Sequence, residues 1–281
     1  MSLTSDDEGR STGGAETPEA ALAACARAAE AHAQTAEWPQ ALQYTVRSLI
    51  DRLAEAKQLP PPKLERPHNQ DAEDALDALG PLEGWHVLDL GEVNQQLLQR
   101  TVTRHPDGSV TADKKGLGAR ATLGSWYTPP QVAESMCRLS IGPQLDRLAQ
   151  HPDPGNVLQV LSIDPACGAG VFLIEAARLI AGRLVERVSG ISPPPAAHMK
   201  YALPLVMREC IFGVDIDPVA VDLARTALWL EVDGSEPFDF MDRNVIVGNA
   251  LDDEMPPAFT ERRGDLPTAA ERRRGWEDAN R

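Results

Sequence analysis

Two carboxylates and a pair of glycines mark where this chain could do chemistry. Asp164 closes an apolar run, Val157 to Ile163, and is followed by Pro165-Ala166-Cys167-Gly168-Ala169-Gly170. Asp215 closes a second run, Cys210-Ile211-Phe212-Gly213-Val214. A carboxylate at the end of a buried strand accepts hydrogen bonds from donors such as ribose hydroxyls. Gly168 and Gly170 can take backbone angles closed to other residues and let a ligand approach the main chain. The apolar spacing from Val171 to Val188 predicts a helix, whose first N–H groups have no acceptor within it. Strand, glycine turn and helix together suit a nucleotide-type site. The turn is not a GxGxxG fingerprint, because no third glycine follows Gly170 at the required place, and it lacks the Gly-Lys-Ser/Thr of a P-loop.

The elements that must hold these residues follow from pattern. Residues 1–16 are polar and Gly/Ser-rich and read as a disordered tail. Residues 17–120 read as a helical region with a hairpin. Helices are expected over Pro18–Ala36 and Pro39–Gln58, the second with Leu42, Val46, Leu49, Ile50 and Leu53 on one face. A short helix is expected over Asp71–Leu79, and another around Leu90. Pro106-Asp107-Gly108 between Val102-Thr103-Arg104 and Ser109-Val110-Thr111 signals a β-hairpin. Arg104, Lys114, Lys115 and Arg120 make that stretch basic, either a solvated face or a phosphate-contacting element.

Residues 121–255 carry the motif-bearing part. Thr128-Pro129-Pro130 leads into a helix expected over Gln131–Leu139. Ser192-Pro193-Pro194-Pro195 marks a loop, and a helix over about Ala202–Glu209 precedes the second strand. Asp217 can cap, and Pro218 can start, a helix running to Val232. Asn244 to Leu251 reads as a third short strand and a polar turn. Asp164 and Asp215 stand 51 positions apart, against about 20 in dinucleotide folds. The inserted loop and helix account for the delay. Residues 256–281 read as a charged C-terminal tail.

Composition narrows the class. No apolar run reaches the roughly 18 residues of a membrane span, and Met1 to Gly14 has no apolar core of a secretory signal. The four cysteines, Cys25, Cys137, Cys167 and Cys210, are widely spaced, which argues against a disulfide scaffold or zinc site and fits a reducing cytoplasm. Cys167 reads as a small buried residue filling the turn, and no metal site is expected. The net charge of −15 disfavours unaided binding to a phosphate backbone.

The ordered set resembles S-adenosylmethionine-dependent methyltransferases, in the form found in N6-adenine DNA methyltransferases. Tyr127-Thr128-Pro129 is similar to motif X of that family. Asp164-Pro165-Ala166-Cys167-Gly168-Ala169-Gly170-Val171-Phe172 resembles motif I, and Gly213-Val214-Asp215-Ile216-Asp217-Pro218 resembles motif II. Ala227-Leu228-Trp229-Leu230-Glu231 looks like the type I and type IIG restriction–modification branch, and Gly248-Asn249-Ala250 resembles motif III. The resemblance implies an α/β fold: a partial Rossmann-like methyltransferase sheet with an N-terminal helical region. It implies S-adenosyl-L-methionine as cofactor, held by Tyr127, Thr128, Pro129, Asp164, Ala166, Gly168, Gly170, Phe172, Asp215, Ile216, Asn249 and Ala250. By that match Asp215 would bind the ribose, Ile216 would pack on the adenine face, and Asn249 would read the adenine amino group.

The resemblance stops before the catalytic loop. An Asn-Pro-Pro-Tyr/Phe motif should follow Leu251 within a few tens of residues, and only Met255-Pro256-Pro257-Ala258 is there, without amide or aromatic. Holding an extruded adenine needs a stacking partner and hydrogen bonds to its edge, so no catalytic residue is assigned. An open sheet edge is expected at the last strand. Two readings stand. In one, the chain is the cofactor-binding part of an adenine-specific DNA methyltransferase. Catalysis and target recognition then lie on a second polypeptide that contacts the DNA, or were lost by truncation of the gene. In the other, it is a non-catalytic S-adenosylmethionine-binding regulatory partner or pseudoenzyme in a defence complex.

Overall fold

The computed structural model describes residues 18–114, 128–252 and 255–264. The expected disordered tail, Lys115, Arg120, Tyr127 and residues 265–281 fall outside them. The chain divides into two compact units, Met1–Ser125 and Trp126–Arg281, and is mixed α/β.

In the first unit, the alanine-rich helix α1 (Pro18–Ala33) packs against α2 (Trp38–Ala56) and α3 (Gln70–Asp77). Alanine is the best helix former and leaves little between backbones, so these axes approach closely. On α2 the expected stripe, Leu42, Val46, Leu49, Ile50 and Leu53, is fully buried. Each such side chain contributes roughly 1.5–3 kcal/mol by leaving water. Asn69 caps α3 by accepting from the Ala72 N–H at 3.1 Å, and its amide donates to the Ala31 carbonyl at 3.1 Å. Helix α4 (Val87–Leu98) follows. Strands β1 (Arg100–Arg104) and β2 (Val110–Lys114) then pair antiparallel, with Arg104 opposite Val110 around the expected turn.

Arg104 turns its guanidinium to the main chain at the end of α1. Its guanidinium donates to the Ala33 and Ala36 carbonyls, at 2.7 Å each. Those carbonyls at the end of α1 have no partner within the helix, which is why a cation there is stabilising.

The second unit begins with α5 (Pro130–Leu148), longer than expected and running through Pro143. Its cap position is Pro129. The run Val157–Ile163 is not one strand. Pro154–Gln159 forms a 3₁₀ turn, with Asp153 accepting from the Gly155 N–H at 2.9 Å, and only β3 (Ser162–Asp164) is extended. Val157 and Leu158 are buried all the same; apolarity predicted burial but not conformation. Helix α6 (Val171–Ser189) leads to α7 (Ala196–Cys210), which starts earlier than expected. Then come β4 (Ile211–Asp215), α8 (Pro218–Glu231) and β5 (Val245–Val247). The sheet is parallel, in the order β3-β4-β5.

Helices α6 and α8 pack on each other and on one face of this sheet. Gly213 sets how closely: a Cβ there would lie 2.9 Å from Leu173 Cδ1 and 3.1 Å from Cys167 Sγ. Arg178 on α6 clamps Glu231 on α8 with two hydrogen bonds, at 2.7 and 2.6 Å. Phe212, one residue along β4, faces the other way, and meets Phe259 edge-on at 5.3 Å. Phe259 belongs to α9 (Pro257–Gly264), so the expected C-terminal tail opens with a helix. Asn244, buried, donates to the Met207, Arg208 and Ile211 carbonyls and ties the end of α7 to the start of β5.

The first unit contains a pH-sensitive defect. His32 is buried, neither ring nitrogen has a partner among the described residues, and Tyr44 stands edge-on at 5.6 Å. Burial lowers its pKa; the Glu73 carboxylate pulls it up and Arg66 pushes it further down. The unfolded chain therefore binds a proton more readily than the folded one. Stability is lost as pH falls from above about 6.5 toward the lowered folded value. We expect the hydrogen-exchange protection of α1 and α2, corrected for intrinsic rate, to fall between pH 7.5 and 5.5. His32→Leu should abolish that fall.

Candidate functional site

The carboxyl ends of the three parallel strands carry the residues singled out from sequence. After β3 the chain turns through Gly168 at φ +53° and Gly170 at φ +85°, both in the left-handed region that favours glycine. The two have different reasons. A Cβ on Gly170 would sit 3.1 Å from the Ala224 Cα, so this glycine lets α8 approach the turn. A Cβ on Gly168 would meet nothing within 4 Å, so this glycine faces open space from which a ligand can reach the main chain.

One hydrogen bond joins the first strand's turn to the second strand's acid. The Gly168 N–H donates to Asp215 Oδ2 at 2.8 Å, while Asp215 Oδ1 accepts from the Asp217 N–H at 2.9 Å. Each oxygen keeps a second lone pair for an outside donor. Asp164 accepts from the Ala166 N–H at 3.1 Å. Its carboxyl is pushed above the usual carboxylate range, by burial first and then by the negative charge of Asp215, against the pull of the Ala166 N–H. Two acids thus converge on one glycine turn, an arrangement that favours a ligand with a positive charge and hydroxyl donors.

The third strand reaches the same end. Asp215 lies opposite Val247, and the Gly248 N–H donates to the Asp215 carbonyl at 2.9 Å, so Asn249 is one residue from that junction. The Asn249 amide is turned inward on its own loop, accepting from the Leu251 N–H at 3.1 Å and donating to Asp252 at 2.6 Å. Ala250 starts the 3₁₀ turn Ala250–Asp252.

Ile216 is 73% exposed, and it is joined by two side chains that the sequence did not single out. Val247 is 52% exposed and Leu251 92%. No pattern in the sequence flags Val247: the strand is uniformly apolar, and alternation would set Val247 on the face of the buried Val245.

The remaining residues are placed as follows. Ala166 is exposed and Phe172 half-buried, with the Phe172 carbonyl 3.8 Å from Cys137 Sγ. Thr128 is half-buried and Pro129 exposed ahead of α5, and no hydrogen bond among the described residues ties either to the glycine turn. Tyr127 lies outside the described residues. Cys167 is buried, and burial with the nearby Asp215 and Asp164 pushes its thiol far up, so it fills the turn rather than acting as a nucleophile. Among the described residues no group of His, Cys, Asp and Glu is arranged to hold a metal ion.

An open cleft of about 630 Å³ lies elsewhere, over the outer faces of α5 and α6, and includes Glu134, Arg138, Glu175 and Arg178. Its charges are already paired, Arg138 with Glu134 at 2.8 Å and Arg178 with Glu175 at 2.8 Å. The glycine turn, where two carboxylates meet beside an open main chain, remains the better candidate. Comparison with family models, with curated proteins and with solved structures gives no match for this chain.

The two turn glycines should separate in a denaturation experiment. Gly168→Ala meets only the left-handed backbone cost, about 1–2 kcal/mol. Gly170→Ala adds overpacking against α8, for a total of about 2–5 kcal/mol. Equal midpoint shifts in urea would contradict the distinct roles assigned here.

Proposed function

We propose that the second unit binds S-adenosyl-L-methionine and is the cofactor-binding part of an adenine-specific (N6) DNA methyltransferase in a restriction–modification or phage-defence system. The observation that carries this reading is the Gly168–Asp215 hydrogen bond. It brings the residues that resemble motifs I and II to one end of a parallel sheet, with Asn249 beside them. In this reading the three strands with α6 and α8 are the first half of a doubly wound, Rossmann-like methyltransferase sheet.

The bound cofactor would supply the electrophilic methyl group on its sulfonium. The chain's own residues would hold and orient it. The second lone pairs of Asp215 accept from the ribose hydroxyls, and Asp164 receives the ammonium of the methionyl end. Gly168 leaves the main chain open beside it, and Ile216, Val247 and Leu251 offer an apolar face to the adenine ring. A positive charge near Asp164 would relieve its mutual repulsion with Asp215 and return its carboxyl toward the ordinary range.

Gripping the target adenine falls to residues outside these 281, on a further segment or on a second polypeptide. No Asn-Pro-Pro-Tyr/Phe loop occurs in these 281 residues, and a chain of net charge −15 is ill suited to approach DNA alone. The proposed setting is the cytoplasm. Among the described residues no helix is long and apolar enough to cross a membrane.

Isothermal titration of the full chain with S-adenosyl-L-methionine tests the site. We expect binding, and at least tenfold weaker binding in Asp215→Ala, about 1.4 kcal/mol. Unchanged affinity would remove Asp215 from the site. The chain alone should transfer no methyl group to DNA, and methylation by the purified chain would overturn the assignment of catalysis to a partner. Cofactor binding with no methylation in any reconstituted complex would favour the regulatory-partner reading.

A further inference from the structure

Helix α8 and strand β5 pack together, and one largely buried side chain, Arg225 of α8, bonds across the contact. Its Nε and Nη2 both donate to the Val245 carbonyl, at 2.9 and 2.7 Å. Nη2 also donates to the Asp242 carbonyl at 3.1 Å, and Nη1 pairs with the Asp242 carboxylate at 3.0 Å.

Register explains why the Val245 carbonyl is within reach. In a parallel pair, the main-chain groups that face the neighbouring strand belong to every second residue. The Asn244 carbonyl accepts from the Gly213 N–H, and the Gly248 N–H donates to the Asp215 carbonyl. Residues 244, 246 and 248 therefore face β4. Val245 turns its carbonyl to the outer side of β5, where Arg225 takes it. The edge expected to stand open at the last strand is thus engaged by a side chain at Val245.

The placing of β5 bears directly on the candidate site. The strand has three residues, Val245–Val247. Val247 lies at its carboxyl end opposite Asp215, and the turn beyond it carries Asn249 and Leu251. Ile216 follows Asp215 and leads into α8. Of the apolar groups assigned to the adenine, two therefore belong to β5 and its turn, and the third stands at the head of α8. The β4 ladder holds β5 from the inner side. Arg225 holds it from the outer side, roughly 10 Å along α8 from the start of the helix.

This brace needs a guanidinium. One carbonyl receives two N–H groups, a second carbonyl receives another, and a carboxylate lies on the far side of the fork. A planar group with five donors spans them, whereas the ammonium of lysine is a compact point charge and does not. Charge alone is a poor reason for the arrangement, because a pair with the half-exposed Asp242 carboxylate contributes little.

We propose that Arg225 is a positioning residue for recognition of the base. By bracing β5 against α8 it holds Val247 and the turn after it at the separation from Ile216 that an adenine ring requires, without touching the ligand. This role rests on the cofactor site proposed above. The brace itself rests on the register and the four contacts.

Titration of the full chain with S-adenosyl-L-homocysteine, and its displacement by S-ribosyl-L-homocysteine, test the role. The second ligand has a hydroxyl in place of the base, so the ratio of the two affinities reports the adenine. We expect Arg225→Lys to weaken S-adenosyl-L-homocysteine by about fivefold or more and to leave S-ribosyl-L-homocysteine within about twofold. Asp215→Ala should weaken both. An equal loss for both ligands in Arg225→Lys, or a loss for neither, would overturn the proposal. Asp242→Ala removes one anchor of the fork and keeps the bonds to Val245. It should give the same selective loss, about two- to threefold, and it decides the question by the same criterion if Arg225→Lys does not fold. Hydrogen exchange needs no ligand and separates the brace from the function. The Gly248 amide should exchange about tenfold faster or more in Arg225→Lys, with the Phe212 amide unchanged. Unchanged protection of Gly248 would overturn the brace and leave the cofactor site standing. Faster exchange at Gly248 in a chain whose parent binds neither ligand would reject the proposed function, and the role in base recognition with it.

Discussion

The second unit depends on the hydrogen bond from the Gly168 N–H to Asp215. It spans 47 residues of sequence and fixes the turn after β3 against the end of β4. A charge-assisted bond of this kind is roughly twice as strong as a neutral one. Gly168 takes a positive φ at the same point, so the chain turns directly after the bond into the start of α6. The same carboxylate holds the Asp217 N–H, and Asp217 in turn accepts from the Val219 N–H at 2.9 Å and caps α8. One acid thus orders the turn before α6 and the turn before α8 together. The candidate binding face is a by-product of that ordering.

Close packing around the bond leaves little room for variation. Gly213 admits Leu173 and Cys167 to the sheet, and Gly170 admits Ala224 to the turn. Interiors packed at crystal density transmit any added methyl group to their neighbours. The glycines around the site therefore have separate justifications. Two are demanded by packing, and only Gly168 is left facing space. Beyond this centre the unit is less complete. One face of the sheet is covered by α6 and α8, while on the other the described contact to Phe212 comes from the short α9. Parallel sheets are ordinarily covered on both faces.

The helices and the hairpin were legible because their signals are local. The stripe on α2, the Pro106-Asp107-Gly108 turn and the Asp217-Pro218 start of α8 each depend on neighbours within a few residues. The 3₁₀ turn at Pro154–Gln159 was not legible, since a short apolar run specifies burial but not backbone shape. Nor was the early start of α7 at Ala196, directly after three prolines that read as a loop. At the site, Asp164, Gly168 and Asp215 could be picked by type and strand position. That Asn249 is engaged by Asp252, or that Arg104 is spent on the end of α1, could not.

What the sequence alone determined is therefore the list of polar residues standing at strand ends and the order in which the elements come. Periodicity and caps act over one or two turns of chain, and residue type carries its donors and acceptors wherever it is placed. Which of those residues meet was decided only by the tertiary structure. The pairing of Gly168 with Asp215 and the approach of Ala224 to the Gly170 turn both depend on strand order and on helix packing. Those are settled by packing between segments tens of residues apart, and no local pattern encodes them.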